Sequence, residues 1–159
     1  MNLSKNIFSK DKYFTLGIIE LLGVELIDNF YVIVDLDSNS LSSEDLIYFP
    51  DRKVVAFASS DLAFYKSESF EKVTVLDKKC NAKSILDFFL KKEISGGYHT
   101  KFNLSMREKQ ILSMLCRGES NQEIADEFGI TIKTIYTHRR NLMRKLGFKN
   151  RMAFQKLYI

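Results

Sequence analysis

Residues 104–147 read LSMREKQILSMLCRGESNQEIADEFGITIKTIYTHRRNLMRKLG, and the punctuation of this stretch predicts three helices separated by two tight breaks. Ser105 followed three residues later by Glu108 is a capping box, in which the serine oxygen accepts from the Glu108 amide and the Glu108 carboxylate accepts from the Ser105 amide. A helix from there to about Arg117 puts Ile111, Leu112 and Leu115 on one face. Gly118 ends it, and Ser120 or Asn121 caps a second helix through Phe128 with Ile124 and Ala125 facing inward. Gly129 supplies the positive φ that a tight turn between two helices needs, and Ile130 plugs the gap between them. Thr131 caps a third helix to Leu146, closed by Gly147, and Asn150 caps a short last helix.

The third helix carries the functional information. Ile135, Leu142 and Leu146 stand at i, i+7 and i+11, a core stripe, while Lys133, Tyr136, Thr137, Arg140 and Arg144 fall on the opposite side. From 131 to 146 there are five Lys/Arg and no Asp or Glu. A surface helix usually mixes both signs, so an acid-free helix after a helix and a glycine turn points to a polyanion in contact with it. His138 sits three residues after Ile135 and faces partly inward, as a packing histidine does. No serine, cysteine or carboxylate is placed to make a triad with it, so the chain is not expected to be an enzyme.

The ordered pattern LSxRExxIL, G-x-SNQEIA, T-x-x-T-[IV]-x-x-H and RKLG resembles the helix-turn-helix of the LuxR/FixJ/NarL family from Leu104 to Phe154. The resemblance implies an all-α tetrahelical domain over 104–159 that binds double-stranded DNA as a dimer, with its third helix in the major groove. Carried over by position, Thr137 and Arg140 face base edges. Lys133, Thr134, Lys145 and Asn121 suit backbone contact, and Arg144 lies on the same basic face. Tyr136 stands where the family usually has Lys. The last helix, with Met152, Ala153, Phe154, Leu157 and Tyr158, is more apolar than one packed face needs and is a candidate dimer surface; the alternative is that all of them pack on the third helix.

Upstream the pattern changes. Tyr31–Asp35, Lys53–Ala58 and Lys72–Leu76 are short runs of Val, Ile and aromatics, as strands buried on both faces of a parallel sheet read, and Ile7-Phe8 is a weaker fourth. Tyr13–Leu22 before Gly23, Ser43–Phe49 and Asn81–Lys91 are helical candidates. Strands alternating with helices predict a small open α/β sheet over residues 1–92. Gly96-Gly97 and the polar residues around them predict a linker over 93–103. Residues 1–98 carry twelve Lys/Arg against fifteen Asp/Glu, a net of −3, whereas residues 99–159 carry twelve against five, a net of +7. The polyanion partner therefore belongs to the C-terminal part. No apolar run reaches the roughly 18 residues of a membrane span, and the lysines near the start precede no apolar stretch, so the expected location is the cytoplasm, on the nucleoid. Cys80 and Cys116 read as reduced core thiols. With two histidines and no Cys or carboxylate cluster, neither a metal nor a cofactor is expected.

The first 92 residues resemble the phosphoacceptor receiver that precedes such helix-turn-helix domains. Asp35 ends a strand in VIVDLD, where a receiver's phosphoacceptor sits, and Lys78 follows the last strand, where its lysine sits. The chemistry departs from the pattern. A receiver holds Mg²⁺ on an acidic pair after its first strand, and Ser9 and Lys10 occupy those positions; Lys10 there repels Mg²⁺ and is expected to pair with Asp35. Ala58 stands at the hydroxyl position, with Ser59 one residue on. Little chain is left between the first helix and Tyr31 for a second strand and helix. The domain reads as a degenerate receiver, similar to those of auxiliary regulators such as RcsA and GadE, and regulation without phosphorylation is expected. The alternative is an anti-activator that heterodimerises with another LuxR-type response regulator and blocks its DNA binding; Tyr136 leaves that open. A sigma-factor fragment does not fit the β runs, and the N-terminal part is short for an enclosing autoinducer pocket.

Overall fold

The computed structural model describes residues 3–38 and 44–155. The chain folds as two units, residues 1–100 and 101–159.

In the first unit β1 (Ile7–Phe8), β2 (Tyr31–Asp35), β3 (Lys53–Ala58) and β4 (Thr74–Asp77) form one parallel sheet in that order. All five residues of β2 are buried, and it pairs with β3 from Tyr31↔Lys53 to Asp35↔Phe57. The strand period of two sorts its side chains. Tyr31 and Ile33, with Val55, Phe57 and Leu76, pack under α1 (Lys12–Leu22) and α2 (Val24–Phe30) and against Phe88 and Phe89. Val32 and Val34, with Ala56 and Ala58, pack on the other face with Phe49, Phe70 and Ala63 of α3 (Asp61–Lys66). Both faces are covered, as unbroken apolar runs require. The expected strand at Lys72–Leu76 begins two residues later, because Lys72 has φ 53° and cannot join a ladder. The expected helix at 81–91 is α4 (Ala82–Leu86) widening into a π turn over Asp87–Lys91. Glu44–Tyr48 is a 3₁₀ turn; Ser43 lies outside the described residues.

A flavodoxin-like receiver sheet runs 2-1-3-4-5. Here the second strand is missing, and the seven-residue α2 feeds straight into β2. This leaves β1 as the sheet edge beside β2 and has a topological consequence. The three crossovers step in one direction along parallel strands, yet α1 and α2 lie on one face while the 44–48 turn and α3 lie on the other. Crossovers on opposite faces have opposite hands. With the two later ones in the usual right-handed sense, the first is left-handed, against the rule for about 98% of such units.

Part of the stretch expected as linker is bound to this unit. The Asp77 amide donates to the Gly96 carbonyl at 2.8 Å and the Tyr98 amide to the Val75 carbonyl at 3.0 Å, and Gly97 bridges Leu76 antiparallel. A Cβ at Gly96 would stand 3.0 Å from the Ser84 Cβ and 3.1 Å from the Cys80 Sγ, so the glycine permits this close approach. Tyr98 stacks on Phe64 at 5.5 Å, and its hydroxyl donates to Asp61 at 2.8 Å.

The second unit is four helices: α5 (Met106–Cys116), α6 (Asn121–Phe128), α7 (Ile132–Lys145) and α8 (Arg151–Gln155). Both capping boxes, Ser105/Glu108 and Ser120/Glu123, are formed, and Thr131 caps α7 through the Thr134 amide. Ile111, Leu112, Leu115, Ile124, Ala125, Ile135 and Leu142 are buried as expected. Asn150 caps α8 by accepting from the Ala153 amide at 2.8 Å. Phe154 departs from the proposed dimer surface: it is fully buried, edge-on to Phe148 at 5.3 Å and under Arg139, so its ring packs inside the helical unit. Met152 is exposed; Leu157 and Tyr158 lie outside the described residues. Cys80 and Cys116 are free thiols, half-buried rather than in the core. Among the described residues no helix is long and apolar enough to cross a membrane, and no group of three metal-ligating side chains occurs.

Gly129 closes α6 at φ 61°, ψ 35°, with open space where a Cβ would go. Gly129→Ala therefore meets no clash and carries only the left-handed backbone cost, about 1–2 kcal/mol. Urea unfolding followed by circular dichroism should show that loss in the helical transition, with a smaller one for Gly129→Asn.

Candidate nucleic-acid interface

The rotation of α7 about its axis decides what it presents. Ile135 and Leu142 are wholly buried, and Leu146 is half-buried below them. The opposite stripe exposes Lys133, Tyr136, Thr137, Arg140 and Arg144, at spacings that return to one face of a helix. Thr137 Oγ1 donates to the Lys133 carbonyl at 3.2 Å, which leaves its oxygen lone pairs and methyl outward. Thr134 is exposed at the first turn, where its hydroxyl lies 3.0 Å from that of Thr131. Arg151 stands 5.7 Å from the centre of the Tyr136 ring, so a cation is present beside the position where family members carry Lys. His138 is half-buried, as its spacing from Ile135 and Leu142 requires.

Two of the expected backbone contacts have partners inside the unit. Asn121 Oδ1 accepts from Arg139 at 2.5 Å, which ties the first residue of α6 to the middle of α7. Arg139 also lies 5.6 Å over the Phe154 ring. Lys145 takes a different first partner from the one expected. Its Nζ is 2.7 Å from Glu108 Oε2 and 3.4 Å from the Asn103 carbonyl, so the ammonium is committed to the capping box of α5.

In the first unit the structure brings Asp35 and Lys78 together at 3.0 Å. The Asp35 side chain has no solvent exposure. Its Oδ2 accepts from Lys78 Nζ and from Ser9 Oγ at 2.5 Å, and its Oδ1 accepts from the Asp37 amide at 3.2 Å. Lys10 is exposed and is not the partner of Asp35; the short β1 ends at Phe8 and turns Ser9, not Lys10, inward. Asp11 caps α1 and stands 3.4 Å from Lys78 on its other side. Burial pulls the Lys78 ammonium down, but hydrogen bonds and charge from Asp35 and Asp11 outweigh it and hold its pKa above the ordinary value. Ala58 is buried at the end of β3, and the next hydroxyl, Ser59, donates to Asp37 at 2.9 Å.

Residues 102–157 match the family described as bacterial regulatory proteins of the luxR family. They form a LuxR-type helix-turn-helix domain. Transcriptional regulatory protein MctR of Rhizobium johnstonii is 52% identical over 44 residues, 28% of this chain and 21% of that protein. Transcriptional regulatory protein UhpA of Escherichia coli is 47% identical over 47 residues, 30% of this chain and 24% of that protein. The chain thus matches less than a quarter of the length of these two relatives. A solved structure of two RcsB dimers bound to two parallel DNAs is similar over 95% of this chain and 94% of its own, with a TM-score of 0.50 at 16% identity. At that identity the likeness concerns the fold, a receiver-like α/β unit followed by a helical one.

The ion pair of the LuxR-type domain between Glu108 and Lys145 was not legible in sequence, because 37 residues separate its partners; a lone acid at a cap and a lone lysine at a helix end carry no mutual signal. Burial pushes the Glu108 carboxyl up, but hydrogen bonds from Lys145 and Ser105 overcome this and leave its pKa below the usual 4.5. A carboxylate depressed by folding contributes stability above its unfolded pKa and loses it as pH falls through the folded one. The helical unit should therefore weaken below about pH 4.5. Glu108→Gln, which leaves Lys145 unpaired, should cost about 1–3 kcal/mol at neutral pH, and the gap from wild type should close as pH falls. Urea melts across pH read both.

Proposed function

We propose that this chain regulates transcription by binding duplex DNA as a dimer, through the exposed face of α7 and without phosphorylation of Asp35. The observation that carries the reading is the acid-free stripe on α7 in a LuxR-type domain, turned outward by the burial of Ile135 and Leu142. In this reading Arg140 donates to a guanine edge, and Thr137 meets a thymine methyl or a polar base edge. Lys133, Thr134 and Arg144 contact the backbone, as does the free amide end of Asn121. Tyr136 packs against the backbone beside Arg151. Lys145 acts behind them, holding the start of α5 through Glu108. One helix-turn-helix reads too few base pairs for a genome, and a two-fold pair extends the site. A homodimer or a heterodimer with another LuxR-type regulator meets that need.

Independence from phosphorylation rests on the state of Asp35. Both its carboxylate oxygens already accept hydrogen bonds, its side chain is out of solvent, and Lys78 supplies a permanent positive charge. Phosphoryl transfer to an aspartate needs an accessible oxygen and a cation to neutralise the phosphoryl group. Ser9 stands where a receiver's acidic metal ligand would be and brings no charge to hold one.

Three exposed cations per chain on α7, doubled in a dimer, predict a slope of log K against log salt of about −5. Arg140→Ala should weaken binding by about 1–3 kcal/mol at one base pair and relax the preference there, whereas Arg144→Ala should weaken all sequences alike. Footprinting and fluorescence anisotropy on wild-type and scrambled sites distinguish these; equal losses on every site for both variants would remove the assigned roles. A flat salt dependence would count against the interface itself.

The intact mass of the protein should stay unchanged after incubation with acetyl phosphate and Mg²⁺. A stable gain of one phosphoryl group, absent in Asp35→Ala, would show a working receiver.

A further inference from the structure

An open groove of about 870 Å³ runs along the N-terminal ends of β2, β3 and β4, at the opposite end of the sheet from Asp35. Its floor is apolar, with Leu46, Phe49, Val55, Phe70 and Phe88. Its cationic lining is Arg52, Lys53, Lys72 and Lys92, and Glu71 is the one acid among the lining residues. Residues 1–98 hold fifteen acids and twelve cations. A third of those cations on one groove, with a single acid, inverts the sign of the domain at this place.

Two features show that the cations are set rather than scattered. Lys72 and Lys92 have φ of 53° and 62°, and they are the non-glycine residues of positive φ among those described. At Lys92 this is the left-handed cap that ends the π turn, and at Lys72 it turns the chain into β4; both fix the backbone from which the lysines project. Lys92 Nζ is held by donating to the Tyr31 hydroxyl at 2.5 Å and to the Phe89 carbonyl at 3.3 Å. The second feature is Arg52, whose Nε is buried and has no hydrogen-bond partner among the described residues. Arg52 as a whole is half-buried and lines the groove, so its guanidinium charge is available to an anion laid there.

We propose that this groove binds a small amphipathic anion, a carboxylate on an aliphatic or aromatic body. The carboxylate is attracted by Arg52, Lys53 and Lys72, and the body covers Leu46, Phe49 and Phe70. The volume lies within the roughly 300–1,000 Å³ of small-molecule sites. The groove is open on one side, so the ligand is laid in rather than enclosed. The site is independent of the reading of α7, and it gives the first unit an input that does not pass through Asp35.

The test uses the full chain and 8-anilinonaphthalene-1-sulfonate, an aromatic anion whose fluorescence rises in apolar surroundings; the chain has no Trp to interfere. One probe should bind per folded chain, and decanoate should displace it at least tenfold more effectively than decan-1-ol of equal length. Arg52→Gln and Lys72→Asn, the latter chosen because Asn tolerates the left-handed conformation, should each weaken decanoate about tenfold with an unchanged melting temperature. If Arg52→Gln fails to fold, Lys72→Asn and the rim variant Lys53→Gln carry the comparison. Equal displacement by the acid and the alcohol, or folded variants that bind as wild type does, would overturn the proposal. Displacement by an acidic amphipathic peptide but not by decanoate would also overturn it, in favour of a protein-docking surface. DNA binding of the unliganded protein is measured separately, so its failure and that of the groove are told apart.

Discussion

Burying Ile135 and Leu142 sets the rotation of α7, and its exposed basic surface depends on that setting. The two residues are seven apart, nearly two turns, so both reach the same point on the helix circumference. Once they are packed under α5 and α6, the positions on the opposite side of the helix have nowhere to go but solvent. Lys133, Tyr136, Thr137, Arg140 and Arg144 are those positions. The chain need only keep acids out of them to present a cationic ridge, and it does. Turning α7 by one residue, about 100°, would bury Tyr136 and expose Ile135 instead.

Cations of the same type meet different fates around this helix. Arg140 and Arg144 stay in solvent, while Lys145 lies against Glu108 and Arg139 against Asn121 and the Phe154 ring. The inner pair of contacts ties the middle of α7 to the start of α6 and its C-terminal end to the start of α5, which keeps the outer residues on a rigid support. A charge count along the sequence sees five equivalent cations; the fold divides them into those that bind outward and those that bind inward.

The first unit keeps a receiver-like strand order and holds a buried carboxylate at the C-terminal end of its sheet. The order lacks a receiver's second strand, and Asp35 and Lys78 meet at the C-terminal end of the sheet. Their meeting is an ion pair closed over by Ser9, with Asp11 on the far side of the lysine. The buried Asp35 charge is neutralised by its own neighbour Lys78.

The sequence by itself determined every element whose signal is local. The helix caps at Ser105, Ser120, Thr131 and Asn150, the break at Gly129, the core stripe of α7 and the strands at Tyr31 and Lys53 follow from residues within one or two turns of each other. So did the exposed stripe on α7, because helical period alone assigns it. What required tertiary structure were pairings between distant residues and conformations imposed by packing. Glu108 with Lys145, Asn121 with Arg139 and Asp35 with Ser9 are 18 to 37 residues apart, and nothing in either partner's neighbourhood names the other; Asp35 and Lys78 are linked in sequence only through the resemblance to a receiver. Phe154 reads equally as a surface or a packed aromatic on a short terminal helix until its contacts are known. Lys10 and Ser9 are adjacent in sequence, and only the pleat at the end of β1 decided which of them turned toward Asp35. Lys72 and Lys92 look like ordinary surface lysines; the sheet and the turns around it hold them left-handed and bring them, with Arg52, to one groove.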